Sequence, residues 1–118
     1  MERIQDIKSN IYGILSGVTY SVGNVKVYQN YPTTSADFPC ITFSVINNSP
    51  SYNLNKEINY QDVEISINFW AEKPSQTSSM LSDAELKLRE NDYLLQTSQY
   101  LVEEDGSSHL YTVFKFIA

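Results

Sequence analysis

His109 is the only histidine in the chain and Cys40 the only cysteine. Any acid–base or nucleophilic chemistry has to be assembled around them. His109 follows Asp105-Gly106-Ser107-Ser108, so base, nucleophile and acid are present within one short turn. A catalytic triad needs those groups to converge on a substrate, and neighbouring residues of a strand point to opposite faces. The run therefore reads as a solvated turn at the mouth of a hairpin. Asp62 and Glu64 share one face of a strand at i, i+2 and are of the type that binds a hard cation. Zinc ligation, by contrast, would need carboxylates gathered from distant parts of the chain. A solvated strand face is the expectation for Asp62 and Glu64, and no metal or cofactor is expected. The four glycines, Gly13, Gly17, Gly23 and Gly106, are scattered and make no phosphate-binding loop. Glu103-Glu104-Asp105 is an acidic run at a turn tip. Cys40, between Pro39 and Ile41, is expected to be a small buried hydrophobe. No enzyme is expected from these residues.

The sequence is richer in contact-making residues. Tyr60 and Trp70 border Asp62, Glu64, Ser66 and Asn68 on one face of a strand, and Trp and Tyr are favoured anchors in interfaces. Tyr52 and Leu54 stand in the polar stretch Asn47–Glu57. Six residues are thus candidates for a subunit or partner interface: Tyr52, Leu54, Tyr60, Asp62, Glu64 and Trp70. Nine tyrosines suit half-wet surfaces, and they suit strands equally well.

The elements that must position them follow from hydrophobic spacing. Ile58–Ala71 alternates strictly from Val63 onward, with Val63, Ile65, Ile67, Phe69 and Ala71 on one face and polar residues on the other, which predicts a long strand with one dry and one wet face. Ile4, Ile7, Ile11, Ile14 and Leu15 repeat at helical spacing, predicting a helix over Glu2–Leu15 that stops at Gly17. Val18–Tyr28 leans to strand with a turn at Gly23-Asn24, and Gln29–Phe38 reads as a loop. Cys40–Ile46 is a strand, and Asn47–Glu57 a polar loop or the end of an extended hairpin. Pro74–Glu90 is a second helix with proline in its first turn and a buried stripe of Met80, Leu81, Ala84 and Leu88; Asn91 is its C-cap. Tyr93–Glu103 and His109–Ile117 form a closing hairpin through Asp105-Gly106. Leu110, Phe114 and Phe116 line one face of its last strand and Tyr111, Val113 and Ile117 the other, so both faces need cover. The fold class is α+β: a mainly antiparallel sheet with an N-terminal helix and a second helix between the long strand and a C-terminal β-hairpin.

At 118 residues the chain is expected to form a single domain, 1–118. A hydrophobic fraction of 42% and a charged fraction of 19% belong to a folded chain rather than a disordered one. Eight basic residues against 14 acidic ones, a formal net charge of −6, leave little material for a nucleic-acid-binding face or for an anionic membrane surface. No segment approaches the ~20 apolar residues of a membrane span. The N-terminus has no apolar core of signal-peptide length, so synthesis in the cytoplasm is expected.

Taken in order, Phe38–Val45 (FPCITFSV), Ser49-Pro50-Ser51-Tyr52, the strand ending ISINFWA (Ile65–Ala71), and the proline-started helix with Ala84 and Leu88 resemble the small tail-completion proteins of long-tailed phages. These are the tail-terminator or tail-to-head joining proteins. The closing part, from Leu94-Leu95 through Glu103-Glu104-Asp105-Gly106 to Tyr111–Phe116, is similar to their C-terminal hairpin. Many members carry Gly-Phe after the second helix, where this chain has Asn91-Asp92-Tyr93. The resemblance spans nearly the whole chain and rests on a hydrophobic pattern rather than on catalytic residues. It implies a virion protein that forms a ring, typically a hexamer, on the head-proximal end of the tail tube. There it would stop tube growth and meet the head connector. DNA would pass through the lumen without specific binding, and the isolated protein could be monomeric. Ring contacts are then expected from Asn47–Glu57 and the wet face of Ile58–Ala71, with Gln29–Phe38 adding to a docking surface. Readings outside this role are another head–tail connector or tube component, and, from a different class, a small α+β ligand-binding domain or enzyme.

Overall fold

A computed structural model describes residues 4–29, 38–52, 58–102 and 106–117, with side chains placed for 7–29, 38–46, 63–102 and 106–116. The element order is α1 (Ile4–Ser16), β1 (Lys26–Gln29), β2 (Cys40–Tyr52), β3 (Ile58–Ala71), α2 (Pro74–Glu90), β4 (Leu94–Val102) and β5 (Ser108–Ile117). The strands form one five-stranded sheet in the order β1-β2-β3-β5-β4. All neighbours are antiparallel except β1 and β2, which run parallel. This is the α+β arrangement that the spacing predicts. No helix among the described residues is long and apolar enough to cross a membrane.

Both helices lie on one face of the sheet. Ile7, Ile11, Ile14 and Leu15 of α1 and Met80, Ala84 and Leu88 of α2 meet Ile41 and Phe43 of β2, Val63, Ile65, Ile67 and Phe69 of β3, and Leu110 and Phe114 of β5 in one buried cluster. The alternation of β3 dictates this: its odd-numbered residues from Val63 to Ala71 face the helices. Leu81 is only partly buried, at the margin of the α2 stripe. The turn after α1 is tied to α2 by Asp83, whose carboxylate accepts from the Ser21 backbone N–H at 3.0 Å and from the Ser21 hydroxyl at 3.2 Å. Beside it the buried Tyr20 hydroxyl donates to the Leu15 carbonyl at 2.8 Å.

The ends of α2 are set by local chemistry. Pro74 fills the first turn, and the Gln76 side-chain oxygen accepts the Lys73 N–H at 3.1 Å. At the other end Asn91 is the C-cap, the Asp92 N–H returns to the Arg89 carbonyl at 3.0 Å and the Tyr93 N–H to the Leu88 carbonyl at 2.9 Å. That pair of bonds is a Schellman motif. Asp92 adopts φ 67°, the left-handed conformation usually left to glycine. Tyr93 is fully buried, stacks on Phe116 at 4.7 Å and accepts a hydrogen bond from the Asn10 amide at 3.0 Å. Asp92-Tyr93 thus performs the backbone turn and core insertion that a Gly-Phe pair would perform.

Two boundaries differ from expectation. Of the β-leaning segment Val18–Tyr28 only its last three residues join a strand, β1, which ends at Gln29; Val18, Val22 and Val25 pack against the core from the irregular connection before it. β2 continues beyond Ile46 to Tyr52, paired to β3 throughout with shifts after Val45 and Ser51, so the Asn47–Tyr52 part of the polar segment is the outer half of a long hairpin. Residues 30–37 of the Gln29–Phe38 loop and the Glu103-Glu104-Asp105 run lie outside the described residues.

Candidate assembly interface

The second face of the sheet carries the even-numbered residues of β3, and part of it is dry. Ser66, Asn68 and Trp70 are buried, as are Cys40 and Thr42 of β2 and His109 of β5. The register sets Trp70 between Cys40 and His109 and Asn68 between Thr42 and Tyr111. Trp70 stacks on the His109 ring with centroids 3.8 Å apart and planes 12° apart, and on Phe38 at 5.9 Å. Its indole N–H donates to the Thr42 hydroxyl at 3.0 Å. The Asn68 amide nitrogen donates to the Ser66 hydroxyl at 3.1 Å, which turns the amide oxygen towards His109 Nε2 at 2.6 Å. Nε2 then carries the proton and donates. Ser66, Asn68, His109, Trp70 and Thr42 each make a hydrogen bond to another member of this group, which is the condition for burying them.

Two expectations are corrected by this geometry. Trp70 is only 7% exposed, and its ring and N–H are engaged within the chain, so it packs as a residue of the fold and not as an exposed anchor. His109 is not part of a solvated turn; it is a buried strand residue in the same stack. The physical reason is common to both. A polar strand face is wet only if nothing covers it, and hydrogen-bonding side chains that partner one another are compatible with a dry face. Ser107 and Ser108 are buried too, but the Ser108 hydroxyl faces that of Thr77 at 3.2 Å, on the opposite side of the strand from His109. No three of the described His, Cys, Asp and Glu side chains converge to hold a metal ion.

Of the other candidate residues, Glu64 is half-buried opposite Lys115 across the β3–β5 pair. The side chains of Tyr52, Tyr60 and Asp62 and the whole of Leu54 lie outside the described residues. The backbone around them is informative. The β3–β5 pairing ends at Asp62–Ile117, while β3 continues back to Ile58 with β2 as its one partner among the described residues. The β2–β3 hairpin therefore runs past the sheet as a two-stranded arm, roughly 13 Å for those four residues of β3. A two-stranded ribbon is marginal in water and gains from a covering partner.

The feature missed from sequence is β4. It stands at the edge of the sheet, all nine of its residues are exposed, and its sequence, LLQTSQYLV, contains no charged residue. Leu94, Leu95, Tyr100, Leu101 and Val102 are exposed apolar side chains distributed over both faces, Val102 at 78%. Towards its far end the Tyr100 hydroxyl meets that of Ser78 on α2. Edge strands are ordinarily blunted by charge, proline or brevity; β4 has none of these. The adjacent apolar pairs Leu94-Leu95 and Leu101-Val102, which cannot both turn inward on a strand, signal that some apolar surface faces outward, but not that the strand stands at the edge.

Open clefts are present but poor in converging polar groups. One of about 390 Å³ is lined by Lys8, Ser9, Tyr12, Gln29 and Phe43. Another of about 270 Å³, beside the start of β4, is lined by Asp92, Leu94, Gln96 and Lys115. Compared with models of known families, the chain matches none, and no curated protein matches it.

Proposed function

We propose that this chain is a structural subunit of a long phage tail. It caps the head-proximal end of the tail tube as a ring, stops tube growth and joins the tail to the head connector. The observation that carries the reading is the uncharged, fully exposed edge strand β4, a surface that a subunit built to meet other subunits requires and a free-standing domain avoids. The projecting β2–β3 arm supports it as a second protein-binding element. The net charge of −6 per subunit suits a ring through which DNA must slide without sticking. The side chains closest to chemistry, His109, Asn68, Trp70 and Cys40, are buried in the fold, which supports a structural role over an enzymatic one.

Electron microscopy of particles assembled without the protein tests the reading. The expected result is overlong tails, or tails and heads that fail to join. Virions of normal length and attachment would overturn it.

A further inference from the structure

The sheet has a second edge, most of which has no partner strand among the described residues. β2 is thirteen residues long, and β1 pairs with only four of them, Cys40–Phe43. That leaves nine, 44–52, without a neighbouring strand on that side among the described residues. β4 is also nine residues long. The free stretch of β2, Ser-Val-Ile-Asn-Asn-Ser-Pro-Ser-Tyr, carries no charged residue, and neither does β4. In a chain with 22 charged side chains, the two strand edges left without a partner among the described residues are thus matched in length and both neutral.

Direction is matched as well. β2 is antiparallel to β3, β3 to β5 and β5 to β4. β2 and β4 therefore run in opposite senses at opposite sides of one sheet. Through the sheet's register Ser98 is level with Phe43, so a second copy in the same orientation, slid five residues along the strands, brings its 44–52 stretch rather than its β1 alongside β4 as an antiparallel pair, the more stable pairing. Such a contact uses different surfaces on the two partners and so repeats from copy to copy, closing into a ring when the rotation allows. A symmetric β4–β4 contact would use both of those edges at once and leave 44–52 of each copy open.

We propose that β4 accepts the free 44–52 edge of β2 from a second copy of this chain, head to tail, extending the sheet from subunit to subunit. This rests on the ring reading above and names its contact. Pro50 lacks an N–H, so the outer end of the pairing is weaker than its centre. Ser98 and Asn48 are the fifth residues of the two nine-residue stretches and lie opposite one another when the stretches are aligned centre to centre.

The test uses full-length chains carrying Ser98→Cys or Asn48→Cys, made in two tagged sizes and oxidised alone and mixed, each time with tail tubes present to hold copies side by side. The unmodified chain, whose Cys40 is buried, gives the background. The expected result is a disulfide-linked pair that dominates only in the mixture of the two variants. A dominant Ser98→Cys pair formed from one variant alone would mean symmetric contact and would overturn the proposal. No cross-link above background would overturn it as well. The two readings fail separately. Absent cross-links from a protein that still terminates tails remove the edge pairing and leave the tail role. The mixed cross-link with normal virions formed in the protein's absence removes the tail role and leaves the pairing.

Discussion

Replacing Trp70 separates a fold residue from an interface anchor. Trp70→Ala removes a side chain that is 93% buried, its stack on His109 and its hydrogen bond to Thr42. Truncating a buried Trp costs about 3–5 kcal/mol, a large part of the ~5–15 kcal/mol that holds a domain together. An unfolding entropy of ~2.1 cal/mol/K per residue converts each kcal/mol into about 4 °C of Tm for a chain of 118 residues. Trp70→Ala should then lower Tm by about 12–20 °C. Trp70→Phe keeps a ring in the stack and loses the N–H, leaving the Thr42 hydroxyl without that donor. Its cost should be about 1–2 kcal/mol, or about 4–8 °C. Thermal unfolding followed by far-ultraviolet circular dichroism at fixed protein concentration reads both. Because Trp70 is the only tryptophan, weak quenching of native fluorescence by acrylamide checks its burial in the same samples. A Trp70→Ala protein that keeps its Tm within about 2 °C and loses only assembly would refute the reasoning and return Trp70 to the interface.

The edge strand should behave in the opposite way. Thr97→Lys with Gln99→Lys places two charges on exposed β4 positions; each should change stability by less than about 0.5 kcal/mol in denaturant titration while subunit association, followed by sedimentation with tail tubes present, is lost. At the end of α2, Asp92→Gly should stabilise the chain by about 0.5–1 kcal/mol, since glycine meets φ 67° without a Cβ penalty, and Asp92→Val should destabilise it by about 1–2 kcal/mol in the same titration. Burial, with the Asp83 carboxylate adding to it, pushes the Tyr20 hydroxyl above its ordinary pKa of 10.0. The neutral form is therefore favoured in the folded state: the contribution is fully present below pH 10.0 and is lost as pH rises above it, where the unfolded chain ionises first. Tyr20→Phe should cost about 1 kcal/mol near neutrality through the lost bond to Leu15, and should show a smaller loss of stability in alkaline denaturant titrations than the parent chain.

Much of this fold is written locally. The bounds of β3 and α2 follow from a period of two ending at Ala71 and from a proline at the first helical position, and nothing distant overrides either signal. The buried stripe Met80, Ala84, Leu88 follows from the same periodicity. What the sequence leaves open is what covers a face and which strand ends up outermost. Asn68, Trp70 and His109 show the first problem. Their polarity is compatible with water or with one another, and the choice depends on cross-strand register over 41 residues between Asn68 and His109. β4 shows the second. As the fourth strand in sequence it gives no local hint that β5 will insert between it and β3, which is what strands it at the edge. Trp70 was legible as a special residue but not as an internal one. Glu64 was legible as a strand-face carboxylate but not as the partner in register of Lys115.

The two halves of the second sheet face divide the work. Around Trp70 the rings, the Asn68 amide and the Ser and Thr hydroxyls lock β2, β3 and β5 together, so the centre of the sheet is fixed in a single chain. Towards β4 the same face opens: Tyr111 and Val113 are only half-buried, and Leu101 is exposed. An open neutral edge is ordinarily an aggregation hazard. Here the β2 side carries its own check, because Pro50 and the register shift after Val45 interrupt the free strand, whereas β4 has no charge or proline to stop it. The net charge of −6 resides off both strands and keeps copies apart at a distance. Within a Debye length of about 8 Å at physiological salt that repulsion fades, and the neutral strands are what remains to meet. Long-range charge thus opposes indiscriminate association while the strand edges favour one geometry of contact, the combination expected of a subunit that assembles only where other components hold its copies side by side.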